Sequence, residues 1–295
     1  MNPTNNYVEF KKERDLGATI TDAFKFIRLE WKPFFATIFK ASIIPLIVLI
    51  GAIIMYLYSI YDAVNTIDYY DNSDPFAGFG SVFFYIGIAS LAGLVVYVLA
   101  HLSGLHYIKE YVNNKGSVTY ENVMSGVKKN FWGFTGLSVL IVVTLIVSFM
   151  ICFLPILYTW PIMTLLPMIY VFGNKGVFDS YGHSFSYVSG KHWADTFGIM
   201  FVVSLIVSVL GSVFSIPSMI YQFIQMGTIL ESNDPTETFN MFKDPIYILL
   251  TVISYIGQYF MYAITLITNV FIYYDINEQK NASGTLEKID SIGQS

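Results

Sequence analysis

The forty-five residues from Asn130 to Asn174 contain no Asp, Glu, Lys, Arg or His. A hydrocarbon core about 30 Å thick is crossed by roughly 20 helical residues, so this run is long enough for two crossings and a tight turn. Pro155, Trp160 and Pro161 stand where that turn is expected. A soluble domain has no use for so long an uncharged stretch. The chain therefore reads as an integral membrane protein, and charge usage agrees: 13% of residues are charged, about half the ordinary globular share of roughly 25%. The single cysteine, Cys152, lies within the same run and excludes an internal disulfide.

The same length argument applied along the chain gives six spans at about 35–58, 81–101, 133–153, 158–174, 197–221 and 246–274. The expected fold is all-α, a polytopic six-transmembrane-helix bundle with amphipathic interfacial helices on the cytoplasmic side. Residues 1–34 form a cytoplasmic segment, 35–274 the membrane domain and 275–295 a polar tail. In the first segment Leu16, Ile20, Phe24, Ile27 and Trp31 recur at helical spacing with Asp22, Lys25, Arg28 and Glu30 between them, predicting a helix that lies in the interface. A second such stripe is Tyr120, Val123, Met124, Val127 and Phe131, with Thr119 as N-cap and Glu121 in the first turn. A third is Phe178, Tyr181, Phe185 and Val188 within residues 175–196. Charged residues at the start, with no short apolar region before a small-residue site, argue against a cleaved signal peptide.

Basic residues set the orientation. With the N-terminus inside, fifteen of the sixteen Lys and Arg fall on the cytoplasmic side and only Lys243 on the other, which carries the acidic loops 61–80 and Glu231–Asp244. The positive-inside rule then places both termini in the cytoplasm. Each odd-numbered span follows an amphipathic segment ending in a Trp and a Phe, at Trp31 and Phe34, Trp132 and Phe134, Trp193 and Phe197. Either a threefold helix-plus-hairpin repeat or the general enrichment of Trp at membrane interfaces accounts for this. Trp31, Lys128, Lys129, Trp132, Lys191 and Trp193 are the residues expected to meet lipid headgroups.

Within the spans there is no Asp, Glu or Arg, so a proton-coupled pump or a charge-carrying channel would lack its usual parts. The intramembrane polar groups are Lys40, able to snorkel to the headgroups, and Gln258 and Asn269, suited to interhelical hydrogen bonds. Ser204, Ser208, Gly211, Ser212 and Ser215, and more loosely Ala89, Gly93 and Gly104, form small-residue stripes for close helix packing. His101, His106, His183 and His192 all lie near one boundary. The first pair is five residues apart and the second nine, neither being the i, i+3 or i, i+4 spacing that joins two metal ligands on a helix. No residue is marked as catalytic or cofactor-binding, and no cofactor is implied. The Asn281-Ala282-Ser283 sequon is expected to be idle on the cytoplasmic side.

The segment GVFDSYGHSFSYVSGKHWADTFG and the closing FIYYDINEQKNASGTLEKIDSIG carry a resemblance. An aromatic-Ser helix (Phe185, Ser186), a Lys-x-Trp entrance (Lys191, Trp193) and a last span leaving through Tyr274 and Glu278 resemble those of a large group of uncharacterised six-span bacterial membrane proteins. That group is similar to the membrane domain attached to some glycerophosphodiester phosphodiesterases. Its usage of Ile, Asn, Lys, Tyr and Phe resembles Bacteroidetes members. The soluble phosphodiesterase part is not in this sequence, so the resemblance implies a fold and no activity. Some proteins of this appearance are described as carotene-cleaving oxygenases, which would require histidine ligands. The functional expectation is a non-catalytic accessory or lipid-interacting component, with membrane lipids and a cytoplasmic or membrane protein as partners and no nucleic acid. The alternatives are a transporter of a neutral or amphipathic substrate and a metal-dependent membrane enzyme using the boundary histidines.

Overall fold

The structure is a computed structural model, and it describes residues 7–65, 79–151, 153–232 and 241–293. Eight helices follow in order: α1 Leu16–Asn65, α2 Gly80–Asn113, α3 Tyr120–Ile151, α4 Phe153–Gly173, α5 Val177–Tyr187, α6 Lys191–Ser232, α7 Pro245–Asn281 and α8 Ser283–Gly293. Among the described residues there is no strand. Six of these helices, α1 to α4, α6 and α7, are long and apolar enough to cross a membrane, and the fold is an all-α polytopic bundle. The protein is a multi-pass membrane protein. Cys152, most of the 61–80 loop with Asp68, Asp71 and Asp74, and Asp234 and Glu237 of the second acidic loop lie outside the described residues.

Three expectations about helix ends are corrected. The first amphipathic stretch is no separate interfacial helix, since α1 runs unbroken for 50 residues, about 75 Å at 1.5 Å per residue. Pro33 removes one backbone donor, but Phe26 and Phe34 pack edge to face across it with ring centroids 5.9 Å apart, and both are buried. Burial on both sides carries the helix through the proline. The second stretch is likewise continuous with its span in α3, where the Thr119 carbonyl accepts the Val123 amide at 3.2 Å and Glu121 lies in the first turn. The turn of the uncharged run is not at Pro155 to Pro161, because α3 ends at Ile151 and α4 begins at Phe153. Pro155 is the third residue of α4, where a missing N–H has no helical partner to lose. Pro161 and Pro167 lie inside the helix. The third stretch does break, at Gly190 with φ +60°, into α5 and the start of α6.

By contacts the chain divides into two compact units, Met1–Ala41 with Val98–Val207 and Ala263–Ser295, and Ser42–Tyr97 with Ser208–Tyr262. The core of the first is α4, buried almost continuously from Pro161 to Ile169, with α3 and α5 packed on it. Small residues let the helices of this unit close up, α3 on α4 and α2 on α7. A Cβ on Gly133 would fall 2.1 Å from the Tyr170 hydroxyl, and one on Gly104 2.5 Å from Leu266 Cδ2.

In the second unit α6 meets α7 through small and polar groups. Ser254 Oγ donates to the Phe214 carbonyl at 2.7 Å, Ser218 and Ser254 hydroxyls lie 3.3 Å apart, and Gln258 Nε2 donates to Ser215 Oγ at 3.0 Å. Of the expected serine stripe, Gly211 is buried, while Ser208 and Ser212 are exposed. The close-packing face is turned toward Phe214, Ser215 and Ser218, because Gly257 of α7 receives Phe214. A Cβ there would stand 2.2 Å from Phe214 Cγ. Gly257→Val is expected to lower stability by about 1–3 kcal/mol, the usual range for overpacking. Gly257→Ala should cost less, and thermal melting of both variants in mild detergent reads the order.

Candidate functional site

Fifteen of the sixteen Lys and Arg residues belong to the first unit, and Lys243 alone to the second. The division by contacts is thus also a division by charge. In the second unit Lys243 is spent on Asp62 at 2.9 Å and lies 3.7 Å over the Tyr61 ring.

Which basic groups of the first unit are available follows from their partners. Lys109 donates to the Val171 carbonyl at 2.7 Å and to Asn174 Oδ1 at 2.9 Å, closing the C-terminus of α4. Lys280 does the same for α5, reaching the Tyr187 carbonyl at 2.8 Å and that of Ser186 at 3.2 Å. Unsatisfied carbonyls with partial negative charge explain both placements. Lys40 sets its ammonium 4.1 Å over the Tyr120 ring. Lys128, Lys129 and Lys191 are exposed.

The aromatic residues expected at the headgroups sort themselves likewise. Trp132 is 80% exposed and Trp31 52%, with the Lys32 ammonium 5.4 Å from the Trp31 ring. Phe178 of α5 is 80% exposed. Trp193 is different: it stacks between Tyr158 and Phe197, at 6.0 and 5.4 Å, and its indole N–H donates to the Tyr158 carbonyl at 3.0 Å. Its ring is a packing element of α6 against α4.

The apolar stripe of the first segment, read from the sequence as lying in the interface, is largely turned away from the core. Leu16, Phe24 and Trp31 are exposed, whereas Thr19, Ala23, Phe26 and Phe34 are buried. What covers that buried face is a feature the sequence reading missed. Residues 7–14 form a strap across α1, α2 and α7. Phe10 is fully buried, stacked on Phe271 with centroids 4.2 Å apart, and meets Phe26, Tyr111 and Tyr274 edge-on. The Val8 amide donates to the Tyr111 hydroxyl at 3.0 Å. Arg14 donates its amide to Asp275 at 2.7 Å, and its guanidinium reaches the carbonyls of Glu9, Phe10 and Lys12 as well as Asp22. Burial pulls the Arg14 guanidinium below its ordinary value, and the hydrogen bond and charge of Asp22 pull it back up. Helix α8 closes over the strap through Lys11 with Glu287 and Lys288 with Glu9, and Glu278 caps its N-terminus by accepting the amides of Gly284 and Thr285 at 2.7 and 2.9 Å. The residues expected to be a polar tail are in fact part of the first unit.

The four histidines do not assemble. His106 lies 3.1 Å from Asn130 of α3 and His101 has its ring 6.2 Å from that of Phe134, both buried on α2. His183 belongs to α5 and His192 to α6; burial, then Lys175 and Lys280, push His183 below its ordinary value. Among the described residues no group of three or more of His, Cys, Asp and Glu is placed to hold a metal ion. Asn269 is buried on α7, and Gln258 is exposed apart from its bond to Ser215. Compared with protein-family models, curated proteins and solved structures, the chain matches none.

Proposed function

We propose that the protein is a non-catalytic integral component of a bacterial inner membrane whose first unit faces the cytoplasm and engages anionic lipid headgroups, in an accessory role to other membrane processes. The observation that carries this reading is the coincidence, in one unit, of fifteen basic residues with large aromatic side chains left exposed. Trp at the headgroup level and Lys or Arg against an anionic leaflet are the ordinary currency of such contacts. The resemblance to six-span bacterial membrane proteins supports the same placement, with both termini cytoplasmic. The polar groups of α6 and α7 in the second unit, Gln258, Ser218 and Ser254, are engaged between helices, which weighs against their lining a transport path.

Purification of the full chain in mild detergent, followed by mass spectrometry of retained lipid, tests the reading. Phosphatidylglycerol and cardiolipin are expected to be enriched over phosphatidylethanolamine relative to the whole membrane extract. K128Q together with K129Q should diminish the enrichment. Retention in the proportions of the bulk extract would overturn the proposal, and labelling of either terminus from the outside would overturn the orientation.

A further inference from the structure

We infer that the anionic lipid lies along one particular face, the exposed side of α1 between Leu16 and Lys32; this rests on the lipid-interacting reading above and assigns its site. On the sequence alone the charges of this segment are mixed, since Asp22 and Glu30 alternate with Lys25, Arg28 and Lys32. The fold separates them. Asp22 is turned inward to Lys12 and Arg14, at 2.8 and 3.0 Å. Glu30 accepts the Tyr107 hydroxyl of α2 at 2.6 Å. Both carboxylates belong to the face that carries Ala23, Phe26 and Phe34 into the core. Asp15 is occupied at the helix start, where its carboxylate accepts the Ala18 amide at 2.7 Å.

The outward arc therefore holds no acidic residue from Leu16 to Lys32. At 100° per residue, Leu16, Phe24 and Trp31 fall within about 80° of one another, and Arg28, Lys32 and Lys25 follow in the next 40° to 100°. All six are exposed. An apolar stripe with an aromatic anchor and a wholly basic flank matches an anionic phospholipid surface, acyl chains against the stripe and phosphates against the flank. An acidic protein helix would meet the same charges but leave Trp31 no reason to remain bare beside Lys32. Three basic groups near an anionic leaflet, at about fivefold in local preference each when unscreened, give selectivity well beyond a single contact even after salt screening.

The test uses the full chain with Trp31 as sole tryptophan (W132F, W160F and W193F), reconstituted in phosphatidylcholine vesicles containing phosphatidylglycerol. One of the two lipids at a time is brominated on an acyl chain, and quenching of the indole is compared at equal content. Brominated phosphatidylglycerol is expected to quench Trp31 several times more strongly than brominated phosphatidylcholine. K25Q, R28Q and K32Q together should bring the ratio to one, while K243Q, in the second unit, leaves it unchanged. A ratio of one in the parent protein, a ratio untouched by the triple variant, or no quenching by either lipid, as a protein-covered face would give, each overturns the assignment. Anionic enrichment in the detergent preparation alongside any of these results would leave the broader reading standing and reject only the α1 face.

Discussion

Phe10→Ala is expected to lower the stability of the first unit by about 3–5 kcal/mol, the range for truncating a buried Phe to Ala. The size of the effect follows from what the ring touches. It lies flat on Phe271 and is ringed by Phe26, Tyr111 and Tyr274, so removal opens a cavity bounded by rigid aromatic groups from three helices that cannot easily collapse. Release of the strap also frees Lys11 and Glu9, the partners of α8. Two readouts follow: a lower thermal midpoint in mild detergent, and faster amide exchange at residues 8–14 and 283–290 together. Phe10→Leu should recover most of the loss. Unchanged melting of the alanine variant would mean that residues 7–14 are not part of the core.

Arg14→Met is expected to cost about 3 kcal/mol, at the lower edge of the range for breaking a buried charged pair. Asp22 keeps Lys12 at 2.8 Å and is not left bare, which is why the lower edge applies. The larger share comes from the strap's own backbone. With the guanidinium gone, the carbonyls of Glu9, Phe10 and Lys12 lose a donor that holds the chain in its curve. Arg14→Lys should rescue little, because a single ammonium cannot serve three carbonyls and a carboxylate from one planar group. The guanidinium also stands 4.6 Å from the centre of the Phe271 ring on which Phe10 stacks. Loss in the double variant with Phe10→Ala should therefore fall short of the sum, since the two side chains share a partner. Equal melting of R14K and the parent would refute the role given to the fork.

The positions of the six long helices were legible from the chain because membrane thickness and uncharged length are both one-dimensional quantities. Their ends were not. Where α1 and α3 leave the apolar runs they continue through polar sequence, and what holds Phe26 inside is its contact with Tyr111, far away in the chain. The apolar stripe Leu16 to Trp31 was legible as a stripe, but the periodicity that reveals it is silent about which way it faces. Tyr7–Arg14 is too short to carry a helical or strand period, and its signal, Val8 and Phe10 alternating with Glu9 and Lys11 before a run of charges, is weak. Counting lysines along the chain treats them all alike, and only the structure separates Lys109 and Lys280, bound to helix ends, from the exposed Lys128, Lys129 and Lys191.

The bond between the Arg14 amide and Asp275 joins residues 261 positions apart. At 5–20 residues per second, a ribosome takes on the order of tens of seconds to cover that distance. Throughout this interval the aromatic side chain at position 10 lacks the Phe271 ring on which it stacks, so the strap is synthesised long before its last partners and seated only after them. Assembly of the first unit is therefore completed only after α7 has been synthesised, and a nascent chain arrested before residue 271 would hold residues 7–14 without Phe271, Tyr274 and Asp275 to anchor them.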